Sequence, residues 1–483
     1  MRFYSAVFPR RILSWIALVA AACGARPAVR GQAVDSNLSL PEANCISCHG
    51  VGFSGGRAPA IAGGKWRIAQ SDSQAAEIIL RGRPELGMPA FGNVMTVEAA
   101  AVLVERIHAA ATVAQDQAQE GIHDGNAGGA VFRTEKQTFK VEVVSTGYEV
   151  PWSLVFLSEA KILVAERAGR LRIVDVASGQ NSAPIHGLPK VWSMQDGGLL
   201  SIALDPKFSK NGWIYLSYAD PGKIPGTSMT KIVRGRIRND AWTNQQVVWQ
   251  ADPKFYYRGS EHYGCRLLFV GGKLFFTVGE RGNRAAAQDL SNPCGKIHRV
   301  EPDGKIPADN PFVNRAQACP SVWSYGHRNP QGLALDPLTG ELWSTEHGPR
   351  GGDELNIIRR GGNYGWPVVT FGAEETGEKI TNLTAKSGMV SPVYHWTPSL
   401  AVCPLMFSTS EKYPAWKHDL LVGSLAVQQL HRLALKNDTI ERDETLIQNL
   451  GRIRDLVTGP DGLIYIAVEY RDRPGEIVHL VPQ

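Results

Sequence analysis

From Phe139 onward, apolar residues alternate with polar ones in short runs, each closed by Gly, Asp or Asn. The clearest are Ile162-Leu-Val-Ala165, Leu171-Arg-Ile-Val174, Trp213-Ile-Tyr-Leu216, Leu274-Phe-Phe-Thr277, Glu341-Leu-Trp-Ser344 and Leu463-Ile-Tyr-Ile466. A period near two, bounded by turn formers, predicts strands joined by hairpins. The phrase Ala203-Leu-Asp-Pro206 returns as Ala334-Leu-Asp-Pro337, with Thr458-Gly-Pro-Asp-Gly462 as a looser echo. Many short strands with a recurring turn phrase predict a β-propeller. About 345 residues at roughly 50–58 per blade give about six blades. A tandem of β-sandwiches is the alternative.

Upstream the period changes. Ser73 to Leu80 reads as a short helix with Ser71 or Ser73 as its N-cap. Glu98 to Ala111 reads as a longer amphipathic helix with Val102, Leu103, Ile107 and Ala110 on one face. Pro41-Glu-Ala-Asn-Cys45 reads as a third helix start, and it leads into Cys45-Ile-Ser-Cys48-His49. That run is a c-type haem attachment pattern: both thiols bond to the porphyrin and the His binds iron. Three helices around a haem match the size of a small cytochrome c, which assigns residues 34–111 to an all-α domain. Met88, in Gly87-Met-Pro-Ala-Phe91, follows His49 by about forty residues and is the expected second iron ligand. Its surroundings resemble the ligand loop of small cytochromes c, and Met95 is the alternative. A zinc site would need further Cys or His ligands nearby, which the following stretch lacks. Residues 112–137, rich in Ala, Gln and Gly without an apolar period, read as a linker to the propeller of residues 138–483.

The net charge of +5 is small for 483 residues, and no basic run marks a nucleic-acid surface. Arg10 and Arg11 precede an apolar stretch, Ile12 to Cys23, that is too short to span a bilayer comfortably. Gly31-Gln-Ala33 then offers a cleavage site, so residues 1–33 read as a signal peptide and the protein as periplasmic. A cut near Ala22, a lipoprotein at Cys23 and a retained anchor helix are alternatives, although Ala20 stands where a lipoprotein site usually has Leu. An exported compartment also permits disulfides. Cys265, Cys294, Cys319 and Cys403 allow two bridges in three connectivities, or buried free thiols.

Three turns carry unusually dense polar chemistry: His262-Tyr-Gly-Cys-Arg266-Leu, Gly326-His-Arg328-Asn329-Pro-Gln331-Gly, and Glu346-His-Gly348-Pro349-Arg-Gly-Gly-Asp353-Glu354. Gly361-Gly-Asn-Tyr364-Gly-Trp-Pro follows. They supply a His able to act as a base, donors for an oxyanion-rich ligand, and carbonyls with a carboxylate suited to Ca²⁺. In this order, over about residues 140–483, they resemble the soluble quinoprotein glucose dehydrogenase and aldose sugar dehydrogenase family. The resemblance implies a six-bladed propeller that binds pyrroloquinoline quinone (PQQ) with Ca²⁺ over its central channel. It implies His262 as the general base and Arg328 as the contact to the quinone oxygens. Asn329 and Gln331 match quinone-binding partners, and Arg452 and Arg454 the pair that grips the PQQ carboxylates. Gly348 and Pro349 match calcium ligands, with Glu354 and Tyr364 beside that metal. Asp196 and Trp396 match the substrate site, Trp396 as its aromatic wall.

The chain also departs from the family. Ala426 replaces a Lys that helps bind PQQ, Asp196 stands for a Gln, and Glu280 and Glu469 stand where Asp is usual. The expected protein is therefore a quinohaemoprotein dehydrogenase with PQQ, haem c and Ca²⁺. It would oxidise a sugar, or a related alcohol or aldehyde, and pass electrons to its haem and then to an external cytochrome or membrane quinone chain. Sorbosone or a non-sugar alcohol is an alternative substrate. A non-catalytic binding propeller with a haem relay is the alternative function.

Overall fold

The computed structural model describes Cys45, His49, Phe53, Ala58 and residues 61–64, 66–83, 88–92, 95–118 and 129–483, with backbone alone for 110–118. The expected signal peptide, Cys48 and residues 119–128 lie outside the described residues.

The repeated turn phrase is a side-chain device. Asp205 Oδ1 accepts from Lys207 N at 2.9 Å, Asp336 Oδ1 from Leu338 N at 2.7 Å and Asp461 Oδ1 from Leu463 N at 3.0 Å. A carboxylate that caps its own turn two residues on fixes where one strand ends and the next begins. Asn239-Asp240 and Asn437-Asp438, all at positive φ, close two further hairpins.

These hairpins build six antiparallel sheets. Their innermost strands are Pro151–Ser158, Leu199–Leu204, Leu267–Val270, Pro330–Leu335, Val402–Phe407 and Arg452–Thr458. Each packs on the next, and the last packs on the first, so the sheets form a closed six-bladed propeller. The sixth blade joins both ends of the domain. Thr138–Tyr148 pairs antiparallel with Gly475–Pro482, placing Val141 opposite Leu480. Val131–Arg133 adds an outer strand to this blade, inside the stretch read as linker.

Blades bury both faces, so many strands are apolar on both sides. Ile464–Glu469 is buried along its whole length. Trp343 and Leu355 of the fourth blade pack with Val402, Leu405 and Val422 of the fifth. Each such side chain contributes roughly 1.5–3 kcal/mol of hydrophobic stabilisation. Cys265, Cys294, Cys319 and Cys403 are all free thiols, and all but Cys319 are buried, so of the alternatives open in the sequence the free-thiol one holds. Cys403 Sγ lies 3.2 Å from Gln331 Oε1 and Cys319 Sγ 3.1 Å from Ser291 O.

Ahead of the propeller, α1 spans Asp72–Arg81 and α2 spans Val97–Ala118. Ser71 caps α1, accepting from Gln74 N at 3.2 Å. The buried face of α2 is Ala100, Leu103, Val104 and Ile107, an i, i+3, i+4, i+7 set. Val102, expected on that face, is half-exposed, and Ala110's side chain lies outside the described residues. Cys45 and His49 are helical. Cys45 and Met88 belong to one apolar cluster with Phe53, Phe91, Met95 and Ile107. Among the described residues, no helix is long and apolar enough to cross a membrane.

Candidate active site

The site lies where turns entering or leaving the inner strands converge. Asp196, His262, Arg328, Gln331, Gly348, Pro349, Arg452 and Arg454 line one cavity, together with His347, Arg350 and Ala426. They come from five blades and the turns between them, so closure of the ring is what assembles them.

His262 sits in a left-handed turn with φ 52°. The turn needs Gly264, at φ 62°, where a Cβ would meet Gly279 N and Thr277 Oγ1 at 2.9 Å. Gly279 must also lack a Cβ, which would lie 2.2 Å from His262 O. His262 Nδ1 lies 2.5 Å from Glu280 Oε1, and Glu280 is buried. That contact fixes the ring and leaves Nε2 as its second nitrogen for the cavity. Asp196 Oδ2 accepts from His262 N at 3.4 Å, which ties the two cavity residues together.

Arg328 donates from NH1 to Gly348 O at 2.7 Å and to His347 O at 3.2 Å. Its own backbone N–H donates to Glu346 Oε2 at 2.8 Å. Its Nε and His347 Nε2 are buried without hydrogen-bond partners. Burial, then the electrostatic influence of Arg328, His262, Arg454 and Arg452, holds His347 well below the usual imidazole range. The Gly348 turn is anchored from below, since Asp353 Oδ1 accepts from Gly348 N at 2.9 Å and from Ser399 Oγ at 2.7 Å.

Arg454 meets Glu469 Oε2 at 2.5 Å through NH2, and Arg452 Nε lies 3.3 Å from the same oxygen. Burial alone would raise the Glu469 carboxyl, but Arg454, Arg452 and Arg167 outweigh it and hold the group at about 2. With Arg328 and Arg350 the cavity is rich in guanidinium, a match for carboxylates and quinone oxygens. The unpartnered Nε of Arg328 is a donor suited to such an oxygen.

Four expected site residues are placed elsewhere. Asn329 is buried, and its Oδ1 accepts from Gly264 N at 3.0 Å, so it braces the His262 turn. Glu354 lies opposite Glu346 across two strands, bridged by Asn356 Nδ2 at 3.0 Å to each carboxylate. Burial and then Glu346 raise the Glu354 carboxyl well above its usual range. Tyr364 stacks on His327 at 4.6 Å and donates to Ile357 O at 2.5 Å. Trp396 belongs to the core between the fourth and fifth blades, and its Nε1 donates to Asp443 Oδ2 at 2.9 Å. None of the four lines the cavity. Glu354 and Tyr364 are instead engaged by Asn356 and His327, and Trp396 packs in the core rather than lining the cavity. His347, Arg350 and Ser399 line it without having been assigned a role in the sequence. His347 and Arg350 were within reach, since they flank Gly348-Pro349 in a motif already singled out.

Residues 148–479 match the family model described as Glucose / Sorbosone dehydrogenase. Residues 32–105 match a second, described as Cytochrome C oxidase, cbb3-type, subunit III. The aldose sugar dehydrogenase YliI of Escherichia coli K12 is 38% identical over 353 residues, covering 72% of this chain and 94% of that protein. A solved glucose dehydrogenase superposes with a TM-score of 0.67 at 39% identity, covering 70% of this chain and 99% of that one. The PQQ-bound aldose sugar dehydrogenase of Streptomyces coelicolor superposes with a TM-score of 0.59 at 26% identity, covering 71% and 98%. The chain belongs to the glucose/sorbosone dehydrogenase family of oxidoreductases, with a cytochrome c domain ahead of the propeller.

Proposed function

We propose that the chain is a periplasmic dehydrogenase that oxidises an aldose sugar, or a related alcohol or aldehyde, with PQQ and delivers the electrons to a haem c on its own N-terminal domain. The observation that carries this reading is the His262–Glu280 pair at 2.5 Å in a cavity shared with Arg328, Arg452 and Arg454. A positioned base beside a cluster of guanidinium groups suits proton removal next to an anionic cofactor.

Bound PQQ supplies the hydride acceptor. His262 Nε2 takes the proton of the substrate hydroxyl, and the Glu280 carboxylate steadies the imidazolium that results. Arg452 and Arg454 would hold the cofactor's carboxylates, and Arg328 would support charge on its quinone oxygens. The Gly348 and Pro349 carbonyls are hard oxygen donors of the kind Ca²⁺ takes. Gly348 O already accepts from Arg328, so the metal would use its second lone pair. Asp196, tied to His262, orients the substrate. The PQQ-bound relative supports the cofactor, and the sugar dehydrogenase relatives support the substrate class. Cys45, Cys48, His49 and Met88 would hold the haem, and the second family match supports a cytochrome domain there. Residues 1–33 direct export.

Reconstitution tests the reading. PQQ and Ca²⁺ are added to the purified chain, and dye reduction is followed with aldoses, sorbosone and simple alcohols. At least one aldose should bleach the dye only when both additions are present. PQQ binding without turnover on any of these substrates would contradict it and leave a binding propeller.

A further inference from the structure

Among the described residues, a contact between two well-anchored segments links the haem domain to the propeller cavity. The Arg350 guanidinium carbon lies 5.3 Å from the centre of the Phe91 ring. That is within the range over which an aromatic face attracts a cation. Phe91 stands three residues after Met88, the expected iron ligand. The segment is pinned to α1: Arg83 and Met88 exchange backbone hydrogen bonds at 2.7 and 3.0 Å. Phe91 N then donates to Ile79 O at 3.2 Å, and Gly92 N to Leu80 O at 2.8 Å. A Cβ on Gly82 would strike the backbone of Ala90 at 2.5 Å, so this loop lies directly on the helix end.

Arg350 is equally constrained. Its backbone exchanges hydrogen bonds with Ala373 at 3.1 and 3.0 Å, and its NH1 donates to Glu375 O at 3.0 Å. It stands next to Pro349 and lines the cavity with it. One guanidinium thus touches the Met88 segment and the candidate cofactor site.

We propose that the Arg350–Phe91 contact is the latch that docks the cytochrome domain on the cavity rim, and that it governs electron transfer from the cavity to the haem. The redox half rests on the function proposed above, and the docking half rests on geometry alone. Oxidising one hydroxyl carbon removes two electrons and two protons. The hydroxyl proton leaves through His262, and the proton carried with the hydride returns to solvent as the two electrons pass on. Haem iron accepts one electron at a time, so each sugar reduces ferric haem twice. An external one-electron oxidant such as ferricyanide clears the ferrous iron between the two transfers. A freely swinging domain would present its haem at only about millimolar effective concentration, whereas a latch keeps it seated.

Two variants of the full-length protein test this from opposite sides. Phe91→Leu keeps apolar volume in the haem-domain core and removes the aromatic face. Arg350→Glu reverses the charge on the rim and leaves that core untouched. Small-angle scattering should show a larger radius of gyration for both variants than for the parent. In Phe91→Leu, sugar-driven haem reduction should slow by about fivefold or more, while dye-linked sugar oxidation stays at the parental rate. Scattering unchanged in both variants overturns the docking, whatever the rates. Expansion in Phe91→Leu alone marks damage to the haem-domain core and also overturns it. If sugar fails to reduce haem in the parent protein, the proposed function fails, and scattering alone then decides the docking.

Discussion

His262 holds a backbone conformation that few non-glycine residues adopt, and Gly264, Gly279 and Asn329 are arranged to permit it. Replacing it with Ala should lower turnover by about 10²–10⁴-fold, the usual loss for a positioned general base. Glu280→Gln should lower kcat with little change in KM, because the amide can still hold the ring but carries no charge for the imidazolium; steady-state kinetics would show the split. Glu469 makes a pH prediction. Its carboxyl lies at about 2 in the fold against an ordinary 4.5, after burial is outweighed by Arg454, Arg452 and Arg167. A depressed folded value means that the stabilisation is complete above pH 4.5 and is lost as pH falls towards 2, up to about 3 kcal/mol. Urea unfolding at pH 6 and pH 3 should show about 2 kcal/mol of that loss in the parent, and Glu469→Gln should flatten the difference. Proximity of this kind was only partly legible in the sequence. Asp196, His262, Arg328, Gln331, Gly348, Pro349, Arg452 and Arg454 do share a cavity. Trp396 and Tyr364 have the right residue types, but strand register and ring packing turn them into the core.

Among the elements, the strand runs were easy to read because turn-forming residues bound them and each lies between two buried faces. Six sheets follow from that repetition. The outer strand Val131–Arg133 was not legible, since its pairing partner is a segment that is itself closed by the chain's last strand. The face of α2 was half legible: Leu103 and Ile107 are buried, but Ala100 takes the place expected of Val102. Alanine is small enough to suit either side, so the apolar period does not decide between them. Phe139 shows what the closing strand contributes. It is fully buried, stacks on Phe132 at 5.7 Å and meets Trp416 of the fifth blade edge-on at 5.4 Å. Phe139→Ala should cost about 3–5 kcal/mol, the usual price of a large buried aromatic, read as a lower urea midpoint for propeller unfolding.

At the scale of the whole molecule, the proposed function places a source of electrons and their first acceptor on a single chain. The two modules were legible because each carries a compact signature, Cys45 to His49 in one and the polar turns in the other. Their contact was not, because Phe91 and Arg350 are distant in sequence and neither belongs to a motif of docking. Substrate oxidation at His262 is proposed to reduce the haem of the same chain. Mixing the haem-bearing, PQQ- and Ca²⁺-loaded protein with an aldose in a stopped-flow spectrometer tests it directly. Ferrous haem should form at a rate that rises with sugar concentration and is independent of protein concentration, and His262→Ala should abolish it. A haem that stays ferric while the same sugar bleaches an added dye would contradict the account.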